Sequence, residues 1–426
     1  MGIYEDLEWR GLVYDGSEGV VERLAEKPIT LYIGFDPTAS SLHVGSLLQI
    51  LNLARMQRFG HTPIALVGGG TGLIGDPSGK SQERQLLTKE KVAENMVGIR
   101  EQLSRFLDFE AKSNPARLVD NGDWLTTVPL VDFLRDIGKH FKVNQMLAKD
   151  SVKMRLEKEE GISFTEFSYQ LLQSYDFLVL YDRYGCELQM GGSDQWGNIT
   201  AGAELVRRVR RGKAYALVVP LVMSASGVKF GKTEAGTVWL DAERTSPYRF
   251  YQYWLNTDDR DVITYLKYFT FLSQEDVAEL ESALETAPQE RAAHRKLARQ
   301  VTEMVHGKDA LDRAELSSKV LFGAEIDDLE PSEILDIFQE VPSSEHSAEG
   351  FAGEGKPLVE VLAEALGLSK GAARRLVREG GAYVNNRRQG DETSRVTRDD
   401  FLGGQVLVLR KGRKQYHVVK LQEMSS

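Results

Sequence analysis

Cysteine is almost missing from these 426 residues, Cys186 being the only one. A single thiol allows no intrachain disulfide and no thiolate zinc site within one chain. Histidine is scarce as well, with seven in all, and none stand at H-E-x-x-H or similar metal-binding spacings. Long apolar runs are absent: nothing approaches the roughly 18 residues that would suggest a membrane span. A basic leader is also lacking, since the chain turns acidic at Glu5 and Asp6, so a cytoplasmic location is expected. No internal repeat is evident.

What is present is the balance of a globular protein, 42% hydrophobic and 27% charged, over a length that suits two or three domains. The net charge of −10 conceals a split. Residues 356–420 hold 14 Lys/Arg against 7 Asp/Glu, a surplus of +7, whereas residues 1–355 carry −16. A basic module attached to an acidic body argues against nonspecific nucleic-acid binding by the whole chain and for a localised basic contact.

The first half alternates β-like runs with helical patterns: Thr30 to Ile33, a helix after Leu42, then Pro63 to Val67 running into Gly68-Gly69-Gly70. That alternation predicts an α/β architecture, a doubly wound (Rossmann-like) parallel sheet over residues 1–244 whose loops at the strand ends form a binding crevice. Asp36, Thr38, the triple glycine and Asp76 fall on such loops. Residues 245–322 read as an α-helical domain. Residues 323–355, with ten Asp/Glu and no Lys or Arg, read as an acidic linker, helical around Ile334 to Phe338 and flexible after Pro342. Residues 356–426 read as a small α+β module of two short helices, a turn and a sheet.

Two strings carry the chemistry. His43-Val44-Gly45-Ser46 precedes Leu47, Ile50, Leu51 and Ala54 at helical spacing, which puts His43 in the first turn of a helix. Unpaired N–H groups and a partial positive charge at that end suit a phosphate, and Gly45 lets a nucleotide lie close. Lys229-Phe230-Gly231-Lys232-Thr233 sets two ammonium groups three residues apart among Gly227, Gly231 and Gly236, a loop able to close over a triphosphate. Either string alone describes an ordinary surface; their order and co-occurrence point to nucleotidyl transfer, which needs positioned positive charge. A P-loop is excluded, because Gly75-Asp76-Pro77-Ser78-Gly79-Lys80-Ser81 is one residue short of the motif. Tyr169, Gln173 and Asp176, at i, i+4 and i+7, form one polar helix stripe without Lys or Glu, as a specific pocket requires.

These strings resemble the signatures of class I aminoacyl-tRNA synthetases. With Tyr32-Ile33-Gly34-Phe35-Asp36-Pro37-Thr38, Thr71 to Ser78, Gly161 to Tyr169 and Gly191 to Asn198, nearly the whole chain resembles the bacterial tyrosyl-tRNA synthetase family. The resemblance implies activation of L-tyrosine by ATP with Mg²⁺, transfer to tRNA(Tyr), and a homodimer formed through the regions Phe133 to Phe141 and around Phe164. Tyr32 and Asp176 would bind the phenolic hydroxyl, Asp76, Tyr169 and Gln173 the ammonium, and Gln195 would lie near the carboxylate. Thr38, His43, Lys80, Arg84, Lys229, Lys232 and Thr233 would act on the phosphates. Gly34, Asp36, Gly45, Gly192 and Asp194 would meet the adenylate, with backbone near Leu221 and Val222 at the adenine. The family usually has a second histidine, or an asparagine, where this chain has Ser46, the position of the ATP ribose contact. The last segment resembles the S4 type of RNA-binding domain, with Arg374, Arg375 and Arg378 as RNA contacts. Two alternatives stay open from sequence: a noncatalytic RNA-binding relative, and the tryptophanyl-tRNA synthetases.

Overall fold

The computed structural model describes residues 2–422 except 79–85, 158–160, 226–229, 234–235, 321–322, 325, 327–328, 340 and 413–414; of Asp150, Ser151, Lys232 and Thr233 it describes the backbone alone. Two compact units result, one of residues 1–245 with 256–305, the other of residues 246–255 with 306–426.

The first unit begins with α1 (Ile3–Arg10), β1 (Asp15–Gly16), α2 (Val20–Glu26), β2 (Thr30–Phe35), α3 (Val44–Arg58), β3 (Thr62–Val67), α4 (Lys89–Ser104) and β4 (Arg117–Asp120). Short helices follow: α5 (Gly122–Leu125), α6 (Leu130–Asp136), α7 (Val143–Leu147) and α8 (Asp150–Leu156). Then come α9 (Phe164–Tyr184), β5 (Cys186–Gly192), α10 (Trp196–Arg210), β6 (Tyr215–Val219) and a hairpin of β7 (Lys232–Thr233) and β8 (Gly236–Thr237). After α11 (Pro247–Leu255), which belongs to the second unit, α12 (Val262–Phe269), α13 (Gln274–Thr286) and α14 (Ala292–His306) complete the first.

The central sheet has the order β1-β6-β5-β2-β3-β4, parallel throughout except for β1. All five residues of β6 are buried, as are Pro63 to Val67 of β3. Continuous apolar runs are what a parallel sheet covered on both faces demands. Cys186, fully buried, opens β5 opposite Thr30. From β2 the chain turns one way to β3, while β5 lies on the other side; a crevice opens at that reversal, beyond the strands' carboxyl ends. Two buried arginines tie the C-terminal end of α12 to α1 and α3. Arg10, paired with Asp6 at 2.9 Å, donates to the carbonyls of Lys267, Thr270 and Leu272, and Arg55 donates to those of Tyr268 and Thr270. Together they satisfy carbonyls that a helix end leaves without partners. Burial pushes the Arg55 guanidinium down to about 9.

The second unit comprises α11, α15 (Lys308–Val320), α16 (Pro331–Ile337), β9 (Ser343–Ser347), β10 (Lys356–Pro357), α17 (Leu358–Ala365), α18 (Lys370–Arg378), β11 (Ala382–Val384), β12 (Arg387–Gln389), β13 (Arg395–Val396), β14 (Val406–Lys411) and β15 (Gln415–Gln422). Its main sheet runs β12-β11-β14-β15-β9. Alternation along β14 sorts its two faces: Leu407 and Leu409 pack with Leu358, Leu362, Ala373 and Val377 of α17 and α18, while Val406 and Val408 pack with Val320, Ile334, Ile337 and Phe338.

The segment read as a linker therefore departs from expectation. Ile326, Leu329, Ile334, Ile337 and Phe338 are buried, and beyond Pro342 the chain forms β9, parallel to β15. Five apolar residues among ten carboxylates are enough to anchor it, and β9 joins through backbone hydrogen bonds that leave no apolar alternation to read. The helical stretch 245–322 also divides, α11 and α15 falling in the second unit and α12 to α14 in the first. Among the described residues no helix is long and apolar enough to cross a membrane.

Candidate active site

The crevice is a cleft of about 630 Å³. His43 is the N-cap of α3, its Nδ1 accepting the Gly45 N–H at 3.0 Å, so it lies one step before the helical turn expected of it. A Cβ on Gly45 would strike the His43 ring at 2.7 Å, which explains the glycine. The second string returns to the same place. Val44 N–H donates to Val238 O, Val238 N–H to Gly231 O, and Gly231 stands so close to Val44 that a Cβ would meet its side chain at 2.8 Å. Gly231 holds φ +78°, a conformation that favours glycine. The two strings, far apart in sequence, thus share one wall.

Across the cleft, α9 is capped by Ser163 and stopped by Gly185. It presents Tyr169, Gln173 and Asp176 together to the cavity, as their spacing predicted. Asp176 is 2% exposed; Asn121 Nδ2 and Trp124 Nε1 donate to its two carboxylate oxygens at 2.9 and 2.8 Å. Burial outweighs those donors and raises the carboxyl to about 8. Tyr32, 1% exposed on β2, carries a hydroxyl with no hydrogen-bond partner among the described residues. Burial, then the Asp176 charge, holds that phenol neutral by raising its pKa well above 10.

Hydrogen bonds link the rest. Tyr169 donates to Asp36 Oδ2 at 2.8 Å, Thr71 to Asp36 Oδ1 at 2.7 Å, and Asn121 to Thr71 Oγ1 at 2.9 Å. Gln195 donates to Asp76 Oδ2 at 2.7 Å and accepts from Gln173 at 3.4 Å. Gly34, Asp36, Gly45, Ser46, Gly192, Asp194, Leu221 and Val222 also line the cavity. Thr38 does not; it is exposed, its backbone N–H bonded to Asp36 O. Lys80, Arg84 and Lys229 lie outside the described residues, and of Lys232 and Thr233 only the backbone, strand β7, is described.

Sequence reasoning missed several participants. Asn121, the residue that opens α5, and Trp124 within that one-turn helix lie in a stretch too short for periodicity to mark them. Lys149, before α8, donates through Nζ to Asn198 Oδ1 at 2.8 Å, and Asn198 Nδ2 donates on to Gln195 Oε1 at 3.3 Å. Burial brings the Lys149 ammonium down to about 7 against the pull of Asp76. Gln49 of α3 and Gln189 of β5 line the cleft with buried carbonyl oxygens that have no partner among the described residues. Arg374, Arg375 and Arg378 of α18 are exposed, Arg378 bonded to Glu392 at 2.7 Å.

A parallel doubly wound sheet with a nucleotide-sized cleft at its switch point, walled by both strings, defines a class I aminoacyl-tRNA synthetase. The family described as tRNA synthetases class I (W and Y) matches residues 24–323, and the tyrosine–tRNA ligase SYY-like C-terminal domain matches residues 333–419. The tyrosine–tRNA ligase of Roseiflexus castenholzii is 56% identical over 98% of this chain and 99% of its own, and that of Geobacillus stearothermophilus 53% over 99% and 100%. The C-terminally truncated mitochondrial tyrosyl-tRNA synthetase of Aspergillus nidulans, 31% identical, superposes with a TM-score of 0.69 over 75% of this chain and 94% of its own. A tryptophanyl-tRNA synthetase from Encephalitozoon cuniculi, 14% identical at TM-score 0.51 over 72% of this chain and 87% of its own, shares the fold alone. The chain belongs to the bacterial tyrosyl-tRNA synthetases, and its activity is that of a tyrosine–tRNA ligase.

Proposed function

We propose that tyrosine is activated in the 630 Å³ cleft with its phenol at Tyr32 and Asp176 and its carboxylate toward Gln195. The observation that carries this reading is the deep end of the cleft: the buried Tyr32 hydroxyl, without a partner among the described residues, beside an Asp176 carboxyl whose two oxygens are already oriented by Asn121 and Trp124. A phenolic hydroxyl satisfies that pair. Phenylalanine would leave both polar groups buried without a substrate partner, the basis for its rejection. Asp76, Tyr169 and Gln173 take the ammonium, Tyr169 remaining neutral because burial raises its pKa well above 10.

The tyrosine carboxylate attacks the α-phosphorus of ATP in line. One C–O–P linkage forms, the α–β bridge breaks, and pyrophosphate leaves with the electron pair. His43, at the partly positive N-terminal end of α3, faces the charge that develops, with Thr38, Lys80, Arg84, Lys229, Lys232 and Thr233 assigned to the phosphates by resemblance. Asp36, Gly192 and Asp194 hold the adenylate. Mg²⁺ enters as the ion carried on the triphosphate, a hard cation that keeps phosphate oxygens and water as ligands.

The tyrosyl group then passes to the terminal ribose of tRNA(Tyr), with residues 356–426 supplying an S4-like basic contact. A homodimer, in the cytoplasm, belongs to the same reading. Phe133 itself is core, 7% exposed, but Leu130, Val131, Val143 and Phe164 are 70%, 74%, 61% and 77% exposed, large apolar side chains suited to a covering partner. ATP–pyrophosphate exchange against all amino acids tests the proposal. Exchange specific to tyrosine is expected; exchange with tryptophan or phenylalanine at equal efficiency would remove Tyr32 and Asp176 from the phenol site.

A further inference from the structure

Behind the amino-acid end of the cleft a chain of hydrogen bonds runs in one direction. Lys149 Nζ donates to Asn198 Oδ1 at 2.8 Å, Asn198 Nδ2 donates to Gln195 Oε1 at 3.3 Å, and Gln195 Nε2 donates to Asp76 Oδ2 at 2.7 Å. Asp76 and Gln195 line the cleft; Lys149 and Asn198 do not. Asn198 is buried, and a Cβ on Gly197 would come within 3.1 Å of Lys149 Cε, so the lysine stem reaches Asn198 past a glycine. The two middle members are carboxamides, whose oxygen and nitrogen can exchange places with almost no change of shape. The two ends cannot. An ammonium has donors and no acceptor, a carboxylate acceptors and no donor. The direction is therefore set from both ends, with Asn198 Oδ1 turned to Lys149 and Gln195 Nε2 turned to Asp76. In the reading above, the ammonium of tyrosine competes with Gln195 for Asp76, while the Lys149 end lies beyond its reach. Gln173 also donates to Gln195 Oε1, at 3.4 Å, but it is itself a carboxamide that can turn over.

We propose that Lys149 is a positioning residue for tyrosine activation: acting through Asn198, its ammonium holds the Gln195 carboxamide with Nε2 toward the substrate carboxylate. This rests on the reading that places that carboxylate at Gln195. Without the ammonium Asn198 can turn over and Gln195 can follow, which sets Oε1 against the substrate carboxylate, oxygen to oxygen. Lys149 takes part in no bond-making. It keeps a donor aimed at the carboxylate while Asp76 is drawn to the ammonium.

The test is calorimetric binding of L-tyrosine and of tyramine, the same molecule without its carboxylate, to the full-length protein at about pH 6, below the value of about 7 to which burial brings the Lys149 ammonium. The preference for tyrosine, as a ratio of Kd values, isolates the carboxylate contact. In Lys149→Met, which keeps the stem and removes the donors, that preference should fall by about fivefold, the worth of one hydrogen bond, through weaker tyrosine binding with tyramine unchanged. Lys149→Arg, again a cation with donors only, should keep the native preference. Adding Lys149→Met to Gln195→Met should cost nothing more, because the lysine acts through the group already removed. Equal weakening of both ligands in Lys149→Met, an unchanged preference there, a loss as large in Lys149→Arg, or additive losses in the double variant would each overturn the proposal. Gln195→Met alone distinguishes this failure from that of the underlying reading. A native preference in that variant means that the carboxylate does not lie at Gln195, and both fall; a collapsed preference there beside an unchanged one in Lys149→Met removes Lys149 only.

Discussion

In the proposed reading Tyr32 and Asp176 divide the recognition of one hydroxyl unequally. Tyr32 contributes a neutral phenol that no described residue satisfies, so Tyr32→Phe removes a hydrogen bond to the substrate and leaves the packing against Phe177 intact, the rings lying 5.3 Å apart. Discrimination against phenylalanine should fall by on the order of tenfold, measured as the ratio of kcat/KM for the two amino acids. An unchanged ratio would place the phenol elsewhere. Asp176 gives a pH signature. Its carboxyl, raised from 3.8 to about 8 by burial, holds a proton in the folded protein that the unfolded chain has released. That contribution to stability is complete below the unfolded value of 3.8 and disappears as pH rises through about 8. Tyrosine's phenol is a donor best accepted by the ionised form. Binding near pH 7 should therefore release part of a proton and tighten as pH approaches about 8; calorimetry in two buffers of different ionisation enthalpy would show it, and proton uptake would contradict it.

At the level of elements, helix α18 carries the three arginines proposed as RNA contacts. Ser369 caps it and Ala373 and Val377 anchor it, so alanine at Arg374, Arg375 and Arg378 preserves the helix and removes only outward charge. Affinity for tRNA should drop, and its logarithmic dependence on salt should flatten by about one for each phosphate that is no longer neutralised. Arg378, already engaged by Glu392, should contribute least. Filter binding over a salt series checks both statements, with pyrophosphate exchange as the internal control. Elements also show where the sequence was readable. The Tyr169, Gln173 and Asp176 stripe was legible because a helix of known period fixes which residues share a face. The orientation of Asp176 was not, because Asn121 and Trp124 reach it from more than 50 residues upstream, from a one-turn helix and its cap too short to show a pattern. Strand β9 was hidden for another reason: a polar, acidic stretch added at a sheet edge is held by backbone groups that every residue possesses, so its side chains say nothing of it.

Over the whole molecule the separation of charge follows the separation of tasks. The residues proposed for activation lie in the first unit, and the basic stretch of residues 356–420 lies in the second. A chain ended after Val320 should still support tyrosine-dependent pyrophosphate exchange and should charge tRNA poorly. It also loses the side chains that cover Val320, among them Ile334, Phe338, Val406 and Val418. The shortened protein should consequently melt with its remaining α11–α15 pair weakened, seen as a broadened thermal transition alongside retained exchange. Undiminished charging by that protein would return the basic surface to ordinary solvation.

Cys186 offers an experimental handle. Fully buried at the first residue of β5, it has its thiol pKa raised by burial, which suppresses the reactive thiolate. The chain therefore contains a single chemical clock, silent while the central sheet is closed. Its alkylation should be slower than that of a free thiol by the fraction of time β5 is open, and should accelerate steeply with denaturant if opening is global. Tyrosine and ATP, by binding only the closed sheet, should slow the clock further in proportion to their occupancy. Mass spectrometry of one modified peptide would then read ligand binding without touching any residue of the cleft, and labelling at the free-thiol rate would mean that β5 is not held shut.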